Sequence, residues 1–123
     1  MKFWRVASAA AAVMVMLAAC SGEPSIDPMA IQAELTMEPA GASAGENVEL
    51  LATLSGTAFT YENTDVDFEI RKGGEIMQMP GVFREPGVYY TRVTFPEPGS
   101  YEIYIHIYVE DLHVIEKSQV DIQ

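Results

Sequence analysis

Apolar residues alternate with polar residues through most of the chain after residue 30, and this pattern predicts β structure for that region. Successive side chains of a strand point to opposite faces, so a period of two predicts a strand with one buried face. No convincing helical period occurs in the same region. The predicted strands are residues 31–37, 48–54, 66–70 and 76–79, two strands after the Glu-Pro-Gly motifs at 85 and 97, and residues 113–122.

Turn signals separate these strands at regular intervals. Two Glu-Pro-Gly motifs begin twelve residues apart, and a tyrosine follows each glycine by two positions, at Tyr89 and Tyr101. Seven short strands with this spacing predict an immunoglobulin-like antiparallel β-sandwich. Tyr101 stands at the entry to the penultimate strand, where it resembles the tyrosine corner of such sandwiches. Cys20 is the only cysteine, so no internal disulfide joins the predicted sheets.

The N-terminus is typical of an export signal. Lys2 and Arg5 precede fourteen uncharged residues, 6–19, which are too few for a permanent bilayer span of about twenty residues. The segment Leu-Ala-Ala-Cys that ends at Cys20 resembles the lipobox of bacterial lipoproteins. This resemblance implies removal of residues 1–19 and attachment of diacylglycerol to Cys20. Residues 20–30 are then a flexible tether, and residues 31–123 form the domain on the extracytoplasmic face of the membrane.

The charge of the predicted mature chain excludes one class of partner. All eighteen acidic residues but only five of the seven basic residues follow residue 19, which gives 5 − 18 = −13. Such a surface repels nucleic acids. The acidic pairs Asp65/Asp67 and Glu110/Asp111 are explained by solvated strand faces and turns. No motif for nucleophilic, phosphate-binding or zinc-hydrolase chemistry occurs, so the sequence predicts a protein that is not an enzyme.

The C-terminal half resembles the YtkA-like domain, a small extracytoplasmic immunoglobulin-like family found on lipoproteins. The segment Val66–Glu75 is similar to the middle strand and turn of that family. The resemblance implies copper as a candidate ligand and an oxidase-assembly protein as a candidate partner, because FixH-like relatives are associated with those processes. Ile115-Glu116 departs from the family, which tends to have Met-Pro there. The matching positions are Gly87, Tyr89, Phe95, Gly99, Tyr101, His106 and His113.

The two histidines, His106 and His113, flank a predicted two-residue turn at Glu110-Asp111. Pairing across this turn places Tyr108 opposite His113 and makes the histidines diagonal neighbours on one face, close enough to share an ion. Met77 and Met79 share a face of a short strand and are predicted to complete a soft His/Met site suited to Cu(I).

Two functions therefore remain open from the sequence. One is a membrane-anchored envelope lipoprotein that binds copper for metal handling or oxidase assembly. The other is a metal-free interaction module that presents a tyrosine-rich face, with Tyr104 and Tyr108 beside His106, to an envelope partner.

Overall fold

The computed structural model describes residues 25–123, which form eight β-strands and one short 3-10 turn. The predicted signal peptide and Cys20 lie outside the described residues. No helix within residues 25–123 is long and apolar enough to cross a bilayer. The 3-10 turn is Pro28–Ala30, and the strands are β1 Gln32–Glu38, β2 Asn47–Ser55, β3 Thr64–Lys72, β4 Glu75–Pro80, β5 Val82–Glu85, β6 Val88–Thr94, β7 Gly99–Val109 and β8 Leu112–Ile122.

The strands form two antiparallel four-stranded sheets. Sheet A has the order β1-β2-β6-β5, and sheet B has the order β4-β3-β7-β8. The predicted all-β sandwich is therefore confirmed, with eight strands in place of about seven. The additional strand is β5, which has only four residues and begins immediately after Gly81. At this corner the chain passes from sheet B to sheet A, and the Gly81 N–H donates to the Val66 carbonyl at 2.7 Å.

The core lies between the sheets and follows the predicted alternation. In β7 the side chains of Ile103, Ile105 and Ile107 are fully buried, whereas the residues between them lie on the outer face of sheet B. Phe68 of β3 is fully buried on the same inner side. Full burial of one such side chain contributes about 1.5–3 kcal/mol, so apolar packing alone can hold the two sheets together.

Two buried tyrosines anchor loops through their hydroxyl groups. The Tyr101 hydroxyl donates to the Glu97 carbonyl at 2.7 Å and accepts from the Glu97 N–H at 3.2 Å. This bond to backbone four residues upstream confirms the predicted tyrosine corner. Tyr89, at the equivalent place after the first Glu-Pro-Gly motif, donates to the Thr64 carbonyl at 2.9 Å. Both hydroxyls thereby find an acceptor inside the domain.

The start of the described region lies against the domain. Ile26 packs against the core cluster, and the Asp27 carboxylate accepts from the Met29 N–H at 2.9 Å, which caps the 3-10 turn. Part of the segment predicted as tether, residues 25–30, is therefore docked onto the sandwich. Gly56 makes this docking possible, because a Cβ there would lie 2.1 Å from the Ala30 carbonyl oxygen.

Candidate functional site

The β7–β8 hairpin positions both histidines. Its turn has two residues, and Val109 pairs with Leu112, Tyr108 with His113 and His106 with Ile115. The register predicted from the sequence is therefore confirmed. Glu110 adopts a positive φ of 50°, and its N–H donates to the Asn63 carbonyl at 3.0 Å. This contact fixes the turn against the loop before β3.

The imidazoles of His106 and His113 are in direct contact on the outer face of sheet B. His106 Nδ1 lies 2.9 Å from His113 Nε2, and the ring centroids are 5.2 Å apart with an interplanar angle of 28°. His113 also stacks on Tyr108, with centroids 4.3 Å apart and an angle of 17°. Three rings therefore lie together, of which His113 and Tyr108 are exposed and His106 is half-buried.

Glu69 lies beside these rings and is the one charged residue of sheet B that is buried. Its carboxylate accepts hydrogen bonds from Arg71 Nε at 2.9 Å and from Gln78 Nε2 at 3.4 Å. Desolvation raises the pKa of Glu69, but the hydrogen bond from Gln78 and the charge of Arg71 outweigh it, so the net shift is downward. Glu69 is therefore held as a carboxylate.

The buried ring nitrogen of His106 faces that carboxylate. His106 Nε2 has no hydrogen-bond partner within bonding distance, and Glu69 Oε2 lies 3.7 Å from it. A negative charge at this place favours the tautomer that carries its proton on Nε2. The lone pair of His106 Nδ1 then points at His113 Nε2. The resulting order, carboxylate to His106 to His113, resembles the carboxylate–histidine arrangement that orients metal-binding imidazoles.

The sequence points to the two histidines but not to Glu69. A charged residue in a predicted strand is normally solvated, and Glu69 follows Phe68 as an outward residue of an alternating segment. The signal that singles it out is non-local, because Tyr104 of β7 and Gln78 of β4 pair with it from either side. These neighbours cover the carboxylate even though it lies on the outer face.

The two methionines are not brought to the histidines. Met79 pairs with the buried Phe68 in the β3–β4 ladder, whereas His106 pairs with the exposed Asp67 in the β3–β7 ladder. Successive residues of β3 point to opposite faces, so the methionine and histidine side chains lie on opposite sides of sheet B. Met77 and Met79 pack against the core cluster instead. The predicted four-ligand His/Met set is therefore not assembled.

Within residues 25–123, no group of three or more His, Cys, Asp or Glu side chains is arranged to hold a metal ion. The ligand set that the histidines offer consists of two imidazole nitrogens. Structural zinc sites use four protein ligands and catalytic zinc sites use three, so the pair does not match either kind. Imidazole also suits copper, and Cu(I) accepts two ligands in a linear arrangement.

Comparison of the chain with models of protein families and with curated proteins found no match.

Proposed function

We propose that this chain is a lipid-anchored extracytoplasmic protein whose β7–β8 hairpin binds Cu(I) through His106 Nδ1 and His113 Nε2. The observation that carries the metal-binding part is the 2.9 Å approach of these two nitrogens. In the metal-free protein one proton lies between them, donated by one imidazole and accepted by the other. A metal ion would replace that proton, because both nitrogens must present lone pairs to bind it.

The geometry requires a small adjustment when the ion enters. Metal–imidazole nitrogen distances are about 2.0–2.1 Å, so a linear site needs the two nitrogens about 4 Å apart. His113 supplies the required movement of about 1 Å, because it is exposed on the edge strand β8. His106 is half-buried, with its Nε2 3.7 Å from the Glu69 carboxylate, so its ring has less freedom to move than the ring of His113. The proposed site thus combines one fixed ligand and one adjustable ligand.

Substitution of either histidine should weaken Cu(I) binding at least tenfold, about 1.4 kcal/mol, because a single imidazole remains. The measurement is a competition titration of the full chain against a chromogenic Cu(I) chelator under reducing, anaerobic conditions. The variants are His106→Ala, His113→Ala and the double variant. The matched control is Met77→Leu/Met79→Leu, which should bind Cu(I) as the parent chain does because both thioethers face the core.

Equal Cu(I) affinity in the parent chain and the double histidine variant would refute the metal-binding function. Loss of affinity in the methionine control, with its far-ultraviolet circular dichroism unchanged, would instead show that thioethers take part. The two readouts therefore separate an imidazole site from a mixed site.

The membrane-anchoring part of the proposal rests on Cys20 and the uncharged segment before it. Two or more acyl chains hold a small domain at a membrane where one chain gives only marginal binding. Cys20→Ala should leave a precursor of full length that incorporates no labelled palmitate. Normal processing of this variant, with partition into the detergent phase, would contradict lipid anchoring. A Ser21→Ala variant controls for changes near the cleavage point.

A metal-free interaction module is the second candidate, and exposed apolar side chains on the outer face of sheet B favour it. Ile76 and Ile115 are about half exposed, and Tyr108 is 39% exposed beside the histidines. Apolar and aromatic side chains of this kind supply the anchors of protein–protein interfaces. An absence of specific Cu(I) binding in the titration above would leave this function as the better explanation of the face.

A further inference from the structure

A groove of about 810 Å³ opens where the chain crosses from sheet B to sheet A. This size falls within the range of about 300–1,000 Å³ that is typical of small-molecule sites. The groove is separate from the histidine pair and involves none of its ligands. It is lined by Tyr61, Glu62, Thr64, Asp65, Gly81, Val82, Phe83 and Tyr89.

Three aromatic rings form one wall of the groove. Tyr61 and Phe83 meet edge to face with centroids 5.2 Å apart, and Phe83 meets Tyr89 in the same way at 5.7 Å. Tyr89 is buried, whereas Tyr61 is 67% exposed. The row therefore leads from the core to a ring that is open to a ligand. Aromatic π faces carry partial negative charge and attract cations.

The turn that carries Tyr61 is held by its own hydrogen bonds. The Thr60 N–H donates to Asn63 Oδ1 at 2.8 Å, and the Asn63 N–H donates to Thr60 Oγ1 at 3.1 Å. Asn63 Nδ2 donates to the Ala58 carbonyl at 3.3 Å. An exposed tyrosine on a turn fixed in this way is preorganised, so a ligand does not have to order the loop when it binds.

The charge of the groove is negative throughout. Glu62 and Asp65 are the only charged residues of its lining. Neither takes part in an ion pair among residues 25–123. Four of the five basic residues there pair with carboxylates elsewhere, namely Arg71, Lys72, Arg84 and Lys117.

Asp65 also affects the Tyr89 hydroxyl, a group of the groove's aromatic wall. Burial raises the pKa of the Tyr89 hydroxyl, and the negative charge of Asp65 adds to this effect. Asp65 directly follows Thr64, whose carbonyl accepts from the Tyr89 hydroxyl at 2.9 Å, so the carboxylate is a neighbour of the aromatic wall. A cation bound in the groove would be attracted both by the carboxylates of the lining and by the aromatic faces.

We propose that this groove is a binding site for a small organic cation that carries an alkylammonium group. The cation would lie against the exposed face of Tyr61 and near the carboxylates of Glu62 and Asp65. Its alkyl groups would contact Phe83 and Val82. This inference goes beyond copper binding and does not depend on it.

The test uses choline and its uncharged isostere 3,3-dimethylbutan-1-ol as probes of the full chain. The two compounds have the same shape, so a difference between them reports the charge alone. Binding is followed by calorimetry and by chemical-shift changes of the aromatic ring protons. We expect choline to bind at least fivefold more tightly than the isostere and to lose affinity as NaCl is raised. Equal binding of both compounds, or binding of neither, would overturn the proposal.

Variants locate the site on the molecule. Tyr61→Ala should weaken choline binding about fivefold, and Glu62→Gln/Asp65→Asn should weaken it about five- to tenfold. The matched controls are Tyr104→Ala and Glu34→Gln, which change the same residue types on the outer faces of sheets B and A. Both controls should retain the parent affinity. Equal losses in the controls and in the groove variants would place the cation elsewhere and refute the assignment.

A lysine-containing pentapeptide serves as the second probe. Choline binding that is as tight as, or tighter than, binding of the peptide supports a free small cation as the ligand. Binding of the peptide without detectable binding of choline would overturn that assignment and make the groove a docking site for a basic segment of another protein.

Discussion

Gly56→Ala should lower the free energy of unfolding by about 3 kcal/mol or more, which is a large fraction of the stability of a small domain. Gly56 has a φ of 110°, where an L side chain is strained. A Cβ would also lie 2.1 Å from the Ala30 carbonyl oxygen and 2.6 Å from the Ala30 carbonyl carbon. Both atoms belong to backbone, so neither can rotate away. The turn or the segment before β1 must move instead.

The matched control for this substitution is Gly73→Ala in the β3–β4 turn. Gly73 has a φ of 60°, but no atom beyond its two chain neighbours lies within 4 Å of the position that its Cβ would take. The free energy of unfolding of this variant should fall only by the cost of the left-handed conformation, about 1–2 kcal/mol. Urea unfolding followed by circular dichroism gives both values. Equal losses for the two variants would show that contact with Ala30 contributes nothing.

Phe68→Ala should destabilise the domain by about 3–5 kcal/mol. Phe68 is fully buried on β3, which lies between β4 and β7 in sheet B. The flanking strands β4 and β7 and the opposing sheet A restrict collapse of the cavity that the missing ring would leave. For a domain of about 100 residues this loss corresponds to a fall in Tm of roughly 12–40 °C. Calorimetric or dichroic melting of the full chain measures the shift.

Ile115→Ala is the control for Phe68→Ala, because it removes an apolar side chain of sheet B that is 50% exposed. Surface substitutions of this kind usually change stability by no more than about 0.5 kcal/mol. If the two variants melted within a few degrees of each other, Phe68 would not be a core residue, and the inward face of β3 would have to be reassigned.

The local parts of the fold could be predicted from the sequence. Alternation identified the strands because each has one buried face, and a two-residue turn fixed the relation of His106 to His113. The strand β5 could not be predicted, because Val82–Glu85 is too short to show alternation. It exists because Gly81 lets the chain approach the backbone of Val66 and cross between sheets.

The sequence could not predict that Met77 and Met79 lie away from the histidines, because their relative placement depends on non-local strand pairing. The sequence correctly put Met77 and Met79 on one face of a strand, but nothing in it related that face to the face of His106. The pairing of β3 with both β4 and β7 decides this relation. The burial of Glu69 could not be predicted for the same reason, since it depends on neighbours in two other strands.

The groove could not be predicted from the sequence either. Phe83 of β5 pairs with Tyr89 of β6 within sheet A, and Tyr61 joins them from the loop before β3. Because β5 could not be predicted, the row of three rings could not be predicted either. Single exposed aromatic residues are common at protein surfaces and do not indicate a site by themselves. A row of aromatic rings beside two carboxylates that form no ion pair becomes visible only in three dimensions.

The hairpin that holds the histidines has a consequence for the order of folding. Its two rings are only seven residues apart in sequence, and isolated hairpins close in about 1–10 μs. In the groove, Phe83 and Tyr89 pair locally in the β5–β6 ladder, but Tyr61 lies twenty-two residues before Phe83, in the loop that links β2 of sheet A to β3 of sheet B. The contact of Tyr61 with Phe83 therefore carries the slower kinetics of non-local β structure. The imidazole pair can therefore form in a partly folded chain, whereas the groove is a property of the completed sandwich.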